Sequence, residues 1–259
     1  MTHYPRRALT ASPTPQAQAA ARMLRDLAQW HDEDDADVLV ALGGDGFMLQ
    51  TLHRLLDRPG DPLPVFGMNL GTVGFLMNEW RTDDLDARLA QAKAFKVNPL
   101  SMMAETMTGA RHTLPAINEV SLLRETRETA KIEVTLNDRV VIPELVCDGI
   151  LAATPAGSTA YNRSANGPIL PLGSALIALT PISPFRPRRW RGAILPDKAR
   201  ISLRILEPEK RPVSAVADQH EVRDVASVDV AINRSRELAL LFDPGHALDD
   251  RITMEQFAV

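Results

Sequence analysis

The sequence predicts an α/β domain with a Rossmann-like parallel sheet over residues 1–98, followed by an all-β domain of β-sandwich type over residues 99–243. Three observations carry this reading. Up to the high nineties, short Val- and Leu-rich runs alternate with segments of helical period, the order of a parallel layer covered by helices. At Asn98-Pro99 helical periodicity gives way to short β-rich runs that continue to about Asp243. Two of those runs, KIEVTLN at 131–137 and ARISLRIL at 199–206, alternate polar and apolar residues, as strands of a sheet with one wet face do.

In order along the chain, residues 7–12 suit a first strand, and SPTPQAQAAARMLRDLAQW has Ser12 or Thr14 as helix cap with Pro15 in the first turn. HDEDDAD at 31–37 carries five acidic residues and reads as a solvated loop. VLVALGGDGFML at 38–49 is a strand buried on both faces, then GGDG, then a helix over 47–56. Residues 65–68 form the next strand, which runs into a second glycine-rich turn at Gly71 and Gly74. DDLDARLAQAKAF at 83–95 predicts a helix with Leu85, Leu89 and Ala92 on one face. The second domain offers strands at 119–125, 131–137, 139–147, 149–154, 199–206, 228–233 and 237–242. Residues 244–259 read as a short helix-like tail that returns to the first domain.

Composition narrows the function. A formal charge of −4 argues against nucleic acid as the general partner. No window approaches the ~20 apolar residues of a membrane span, and no secretory leader is apparent, so a cytoplasmic protein is expected. Cys147 is the single cysteine, and no two of the six histidines are spaced three or four apart, so the sequence predicts no protein-built metal site.

Two stretches carry chemistry. GGDG at a strand-to-helix turn presents free N–H groups and the positive end of a helix dipole, a seat for phosphate flanked by Gly44 and Gly46. Asp45 conflicts with that seat, because a carboxylate repels phosphate unless it holds a metal or takes a proton. The plain alternative is a turn whose Asp caps the helix. TPAGSTAYNRSANGP packs small residues, hydroxyls and amides beside Tyr161, which suits reading a nucleoside. Asn118, Glu119 and Asp148 place polar groups where the sheets are otherwise apolar; capping a loop, or pairing with an arginine in the case of Asp148, are the plain alternatives.

GGDG at 43–46, GMNLGTVGFL at 67–76, NE at 118–119 and TPAGSTAYNRSANGPI at 154–169 resemble, in identity and order, the motifs of NAD kinases of bacterial type, and the Asp218-Gln219 turn matches as well. The resemblance implies an NAD kinase-like fold with the site between its domains. It implies transfer of the γ-phosphoryl of ATP to the 2′-hydroxyl of the adenosine ribose of NAD, with Mg²⁺ or another divalent cation, in a homodimer or homotetramer. Asp45 would be the general base, with Gly44 and Gly46 beside the phosphates and Phe75 as a wall of the pocket. Asn118 and Glu119 would hold the ribose or pyrophosphate side, Asp148 the nicotinamide side, and Thr159, Ala160, Tyr161 and Ser164 the adenine. Phe47 stands where lipid kinases follow GGDG with threonine and so counts against that relative. The chain departs from the family pattern at Leu70, Ala156 and Asn166, and in PFRPRRWR, which sets four arginines and a tryptophan within residues 185–191. That loop reads as a solvated or subunit-contact segment, or as positive charge for the phosphates of ATP. Two other functions compete: a catalytically silent NAD(P) sensor, which Asp45 argues against, and a lipid or sugar kinase sharing GGDG, which leaves TPAGSTAYN without a role.

Overall fold

The computed structural model describes residues 4–72 and 74–244. The chain forms two compact units, one made of the segment up to Val97 together with the return from Arg236, the other of Asn98–Ser235.

The first unit opens with β1 (Arg7–Ala11) and α1 (Pro15–Leu27). Thr14 caps α1 by accepting the Ala17 N–H at 3.3 Å, and Pro15 occupies the first turn, where a missing N–H costs nothing. β2 (Val38–Gly43), α2 (Asp45–Asp57), β3 (Val65–Asn69), the short β4 (Asn78–Glu79), α3 (Leu85–Gln91) and β5 (Lys93–Val97) follow. Every residue of β2 is buried, which explains its unbroken apolar run. Its side chains pack with Phe66 and Met68 against Ala17, Ala20, Ala21 and Leu24 of α1 and Leu85 and Leu89 of α3. Met48 of α2 presses on β3 at Gly67, where an added Cβ would lie 2.3 Å from the Met48 methyl.

The acidic run at 31–37 is more than a solvated loop. Glu33 accepts Arg54 at 2.5 Å, Asp34 accepts Arg58 at 2.7 Å and Asp37 accepts Arg6 at 2.6 Å. The helix expected over 83–95 stops at Gln91, because residues 93–97 are claimed by the sheet as β5.

The second unit is all strands apart from short turns: β6 (Leu100–Thr106), β7 (Arg111–Ala116), β8 (Glu119–Arg124), β9 (Ala130–Leu136), β10 (Arg139–Cys147), β11 (Gly149–Ala153), then a 3₁₀ turn and the single-turn α4 (Tyr161–Ser164), then β12 (Leu176–Ile182), β13 (Ala193–Pro196), β14 (Ile201–Ile205), β15 (Val213–Ala217), β16 (His220–Val222) and β17 (Val225–Ile232). They make two six-stranded antiparallel sheets, ordered β10-β9-β14-β17-β6-β7 and β13-β12-β11-β8-β15-β16. Inward residues of both, such as Met102, Leu122, Ile132, Ile150, Leu203 and Val228, form one core.

The chain then returns as β18 (Leu238–Phe242), which pairs in parallel with β3 and antiparallel with β5. The sequence pattern grouped residues 237–242 with the second domain, since a local apolar run does not reveal which sheet will accept it. Phe242 meets Phe95 edge to face at 5.5 Å, and the order β1-β2-β3-β18-β5 is parallel except for its last pair. The tail at 245–259 lies outside the described residues. Among the described residues no helix is long and apolar enough to cross a membrane.

Candidate active site

The predicted site residues fall into two groups, one in each unit. In the first unit β2 ends at Gly43, Gly44 is the N-cap, and Asp45 is the first residue of α2. Asp45 does not cap its own helix. Its carboxylate reaches across to the second glycine-rich loop, where Oδ2 accepts the N–H groups of Gly74 and Phe75 at 3.0 Å each and Oδ1 accepts that of Leu76 at 2.9 Å. The two loops are in direct contact: an added Cβ on Gly71 would lie 3.0 Å from the Gly44 Cα. Gly74 holds φ +74°, and a Cβ there would collide with Asn69, so glycine is required twice over. Around Gly46 nothing lies within 4 Å of where a Cβ would stand, which leaves the helix start open. A carboxylate offers about four lone-pair directions. Three are filled here, and the free one on Oδ1 can accept a hydroxyl proton.

In the second unit Asp218 repeats the device. Held at φ +51° in the turn between β15 and β16, it accepts the N–H groups of Ile117 at 2.6 Å and of Asn118 and Glu119 at 3.0 Å each. That grip fixes the start of β8 and aims two side chains whose polar atoms remain unspent. Asn118 Oδ1 and Glu119 Oε2 are buried without a hydrogen-bond partner. Buried polar atoms are ordinarily paired, so two unpaired neighbours are a place for ligand donors and acceptors. Burial first, and then the charge of Asp218, pushes the Glu119 carboxyl up to about 8.

The stretch 154–169 divides into scaffold and surface. Thr154 donates to Ile117 O at 2.7 Å and accepts from Gly157 N at 3.0 Å; Ser158 donates to Pro155 O at 2.7 Å and accepts from Leu170 N at 2.9 Å. Asn162 donates to Pro168 O at 2.8 Å and accepts the Thr180 hydroxyl at 2.7 Å. These three are fully buried and are spent on the loop's own shape. Thr159, Ala160 and Tyr161 are half-buried and Ser164 is exposed, so the residues predicted to meet adenine are those the loop does not consume. Tyr161 lies within reach of the charges of Glu119 and Asp148, which, after burial, raise its phenol above the usual range. Asp148 is half-exposed and accepts Arg124 Nε at 2.6 Å, the pairing that had been its plain alternative.

Sequence reasoning assigned no role to Asp218, nor to the N–H groups of residues 74–76 as the partners of Asp45. The signal for Asp218 was faint, an Asp-Gln pair between two apolar runs where a turn needs positive φ. Among the described residues no three His, Cys, Asp or Glu side chains converge as a metal would need.

The fold and these loops define a nucleotide-handling protein with an α/β unit and a β-sandwich unit. The fold is shared with a yeast NADH kinase solved with NADH, at TM-score 0.81 and 20% identity over 99% of this chain and 88% of that one. It is shared also with an NAD kinase from Archaeoglobus fulgidus solved with ATP, at TM-score 0.75 and 22% identity over 98% and 99%. Residues 3–119 match the family model of the ATP-NAD kinase N-terminal domain and residues 117–242 that of the C-terminal domain. The chain is 70% identical to the NAD kinase of Rhizorhabdus wittichii and 62% identical to that of Zymomonas mobilis, in each case over 98% of both chains. The chain belongs to the ATP-NAD kinase family.

Proposed function

We propose that this family member moves the γ-phosphoryl of ATP to the 2′-hydroxyl of the adenosine ribose of NAD, with Asp45 as the general base. The observation that carries the assignment is the clamped Asp45 carboxylate, held by three N–H groups with one lone pair of Oδ1 free at the mouth of a phosphate-seating turn. The ribose oxygen attacks the γ-phosphorus as the bond from that phosphorus to the β–γ bridging oxygen breaks. ADP leaves with the electron pair, and the hydroxyl proton passes to Asp45. Phosphoryl transfer asks mainly for positioning and charge neutralisation, so a rigidly placed base suits it; such a base contributes about 10²–10⁴-fold.

In the second unit Asn118 and Glu119 hold the ribose or pyrophosphate side of NAD, Asp148 the nicotinamide side, and Thr159, Ala160, Tyr161 and Ser164 the adenine; in the first unit Gly44 and Gly46 lie beside phosphate and Phe75 offers an apolar wall. Mg²⁺ or another divalent cation would arrive on the phosphates of ATP, where it neutralises charge. In this reading the enzyme is cytoplasmic and works as a homodimer or homotetramer.

Incubation with NAD, ATP and Mg²⁺, read by chromatography or ³¹P NMR, should yield NADP and ADP in equal amounts. A lack of NADP with intact NAD binding would leave a sensor in place of an enzyme.

A further inference from the structure

The loop between β12 and β13, SPFRPRRWRG, has no part in the phosphotransfer proposed for Asp45. Arg186, Arg188, Arg189 and Arg191 are all exposed, and among the described residues none of the four has an ion-pair partner. Arg6, Arg88 and Arg204, by contrast, face the carboxylates of Asp37, Asp243 and Glu133. The loop itself contains no acidic residue to neutralise its four charges.

It is also fixed in place. Val146 and Arg186 exchange backbone hydrogen bonds at 2.8 and 3.2 Å, and Phe185 N donates to Val146 O at 2.7 Å. Trp190 packs against the sandwich core, and Gly192 at φ +105° lies where a Cβ would meet Leu179 O at 2.2 Å. Arg188 stacks over the ring of Phe185, 5.8 Å from its centroid.

Under this loop is a cavity of about 440 Å³ lined by Asn166, Ser183, Pro184, Trp190 and Arg191. That volume lies in the range of about 300–1,000 Å³ common to ligand sites. The polar side chains on its walls are a guanidinium, an amide and a hydroxyl, all able to donate, and no carboxylate lines it. Asn166 stands two residues beyond Ser164, so the cavity adjoins the loop assigned to adenine.

We propose that this cavity, with Arg191 on its wall, and the three further arginines of the same loop form an anion site for a phosphoanhydride group, the chemistry shared by the phosphate chain of a nucleoside triphosphate and the pyrophosphate of a dinucleotide. Guanidinium groups pair with phosphate oxygens in a planar, bidentate way, and four positive charges within six residues concentrate the field that attracts such a ligand. The site goes beyond the phosphotransfer reading and does not depend on Asp45.

Calorimetric titration of the full chain with tripolyphosphate in 50 mM salt, without divalent cation, tests it, and parallel titrations with ATP, NAD and inorganic phosphate identify the source of the anhydride. Tripolyphosphate should bind, should bind at least about tenfold more weakly in 300 mM salt, and should lose a further tenfold or more in R188A/R189A/R191A. The loss caused by R188A/R189A/R191A should be the same in an Asp45→Asn background as in the parent, whether or not NADP formation is lost there, so failure of the base assignment and failure of this site read differently. No binding at 50 mM salt, or equal binding by the parent and the triple variant, overturns the proposal. So does a triple variant that changes its sedimentation while keeping full tripolyphosphate affinity, since the loop is then a subunit contact. Should the triple variant not fold, R191A alone carries the same comparison with about a threefold or greater expected loss.

Discussion

Asp45 Oδ2 accepts the backbone N–H of Phe75 at 3.0 Å, so the carboxylate on the first glycine-rich loop is also the anchor of the second. Substitution by Asn therefore does two things. It removes the carboxylate proposed as the base, and it turns an amide N–H toward donors that need an acceptor. Asp45→Asn should lower kcat by about 10²–10⁴-fold. It should also destabilise the protein by about 1–3 kcal/mol in denaturant melts, the usual cost of unpaired buried groups. NAD affinity by titration should change only a few-fold, because the residues assigned to hold NAD are almost all in the other unit. Turnover near that of the parent would end the base assignment.

Glu119 predicts a pH dependence of defined sign. Its carboxyl is raised to about 8 in the fold, chiefly by burial and then by Asp218, whereas in the unfolded chain it titrates near ~4.3. Between those values the folded protein holds a proton that the unfolded chain has released. Its contribution is fully present below the unfolded value, shrinks as pH rises, and is lost once pH passes about 8. With a discount for partial exposure, the change should be on the order of 1–3 kcal/mol in ligand-free melts. Glu119→Gln should flatten it. The pH profile of kcat/KM for NAD should fall through the same region in the parent and not in the Gln variant, and parallel profiles would show that Glu119 does not titrate against the substrate.

Much of this was legible in the sequence, and what was not shares one cause. β2, GGDG and α2 are contiguous, so local pattern sufficed to place Asp45 at the head of a helix. What Asp45 does with its oxygens depends on N–H groups 29 to 31 residues away, and the Asp218 clamp spans about a hundred. Neither has a periodicity to read. β18 and β5 were misplaced likewise, since the apolar run at 237–242 and the segment KAFKV acquire their identity from each other, across residue pairs such as Leu240 and Phe95. The division of 154–169 into scaffold and surface was also hidden, because Ser158 and Thr159 differ in burial and not in chemistry.

Arg88 is the fastener of the first unit. It is buried, forms a two-pronged pair with Asp243 at 2.7 and 3.0 Å, donates to the carbonyls of Glu79 and Arg81 at 3.0 Å each, and lies 5.2 Å from the centre of the Phe66 ring. Asn78 ties the same corner together, donating to Gly67 O and Leu241 O and accepting from Asp243 N. Arg88→Leu should cost about 3–5 kcal/mol, because it strands a carboxylate and two carbonyls. The double variant with Asp243→Leu should be less damaged than the sum of the singles by about 0.5–3 kcal/mol, as measured by chemical denaturation. Strict additivity would mean the two charges do not depend on one another.

The 154–159 turn holds the start of β8 by direct backbone contact. A Cβ on Gly157 would lie 2.1 Å from Asn118 O and 2.5 Å from Asn118 Cα, backbone atoms with no flexible end to give way. Asn118 cannot retreat freely, because its N–H is held by Asp218. Gly157→Ala must therefore either strain the turn or push Asn118 and Glu119 out of line, at a cost of about 1–3 kcal/mol. The second outcome should raise KM for NAD about tenfold or more, with the chemical step, measured in single turnover at saturating NAD, reduced less. Gly173→Ala is the control, since nothing lies within 4 Å of its Cβ position, and it should stay within about 0.5 kcal/mol of the parent. If Gly157→Ala loses stability yet keeps the parental KM, the turn supports the fold alone and Asn118 and Glu119 are not what the dinucleotide reads.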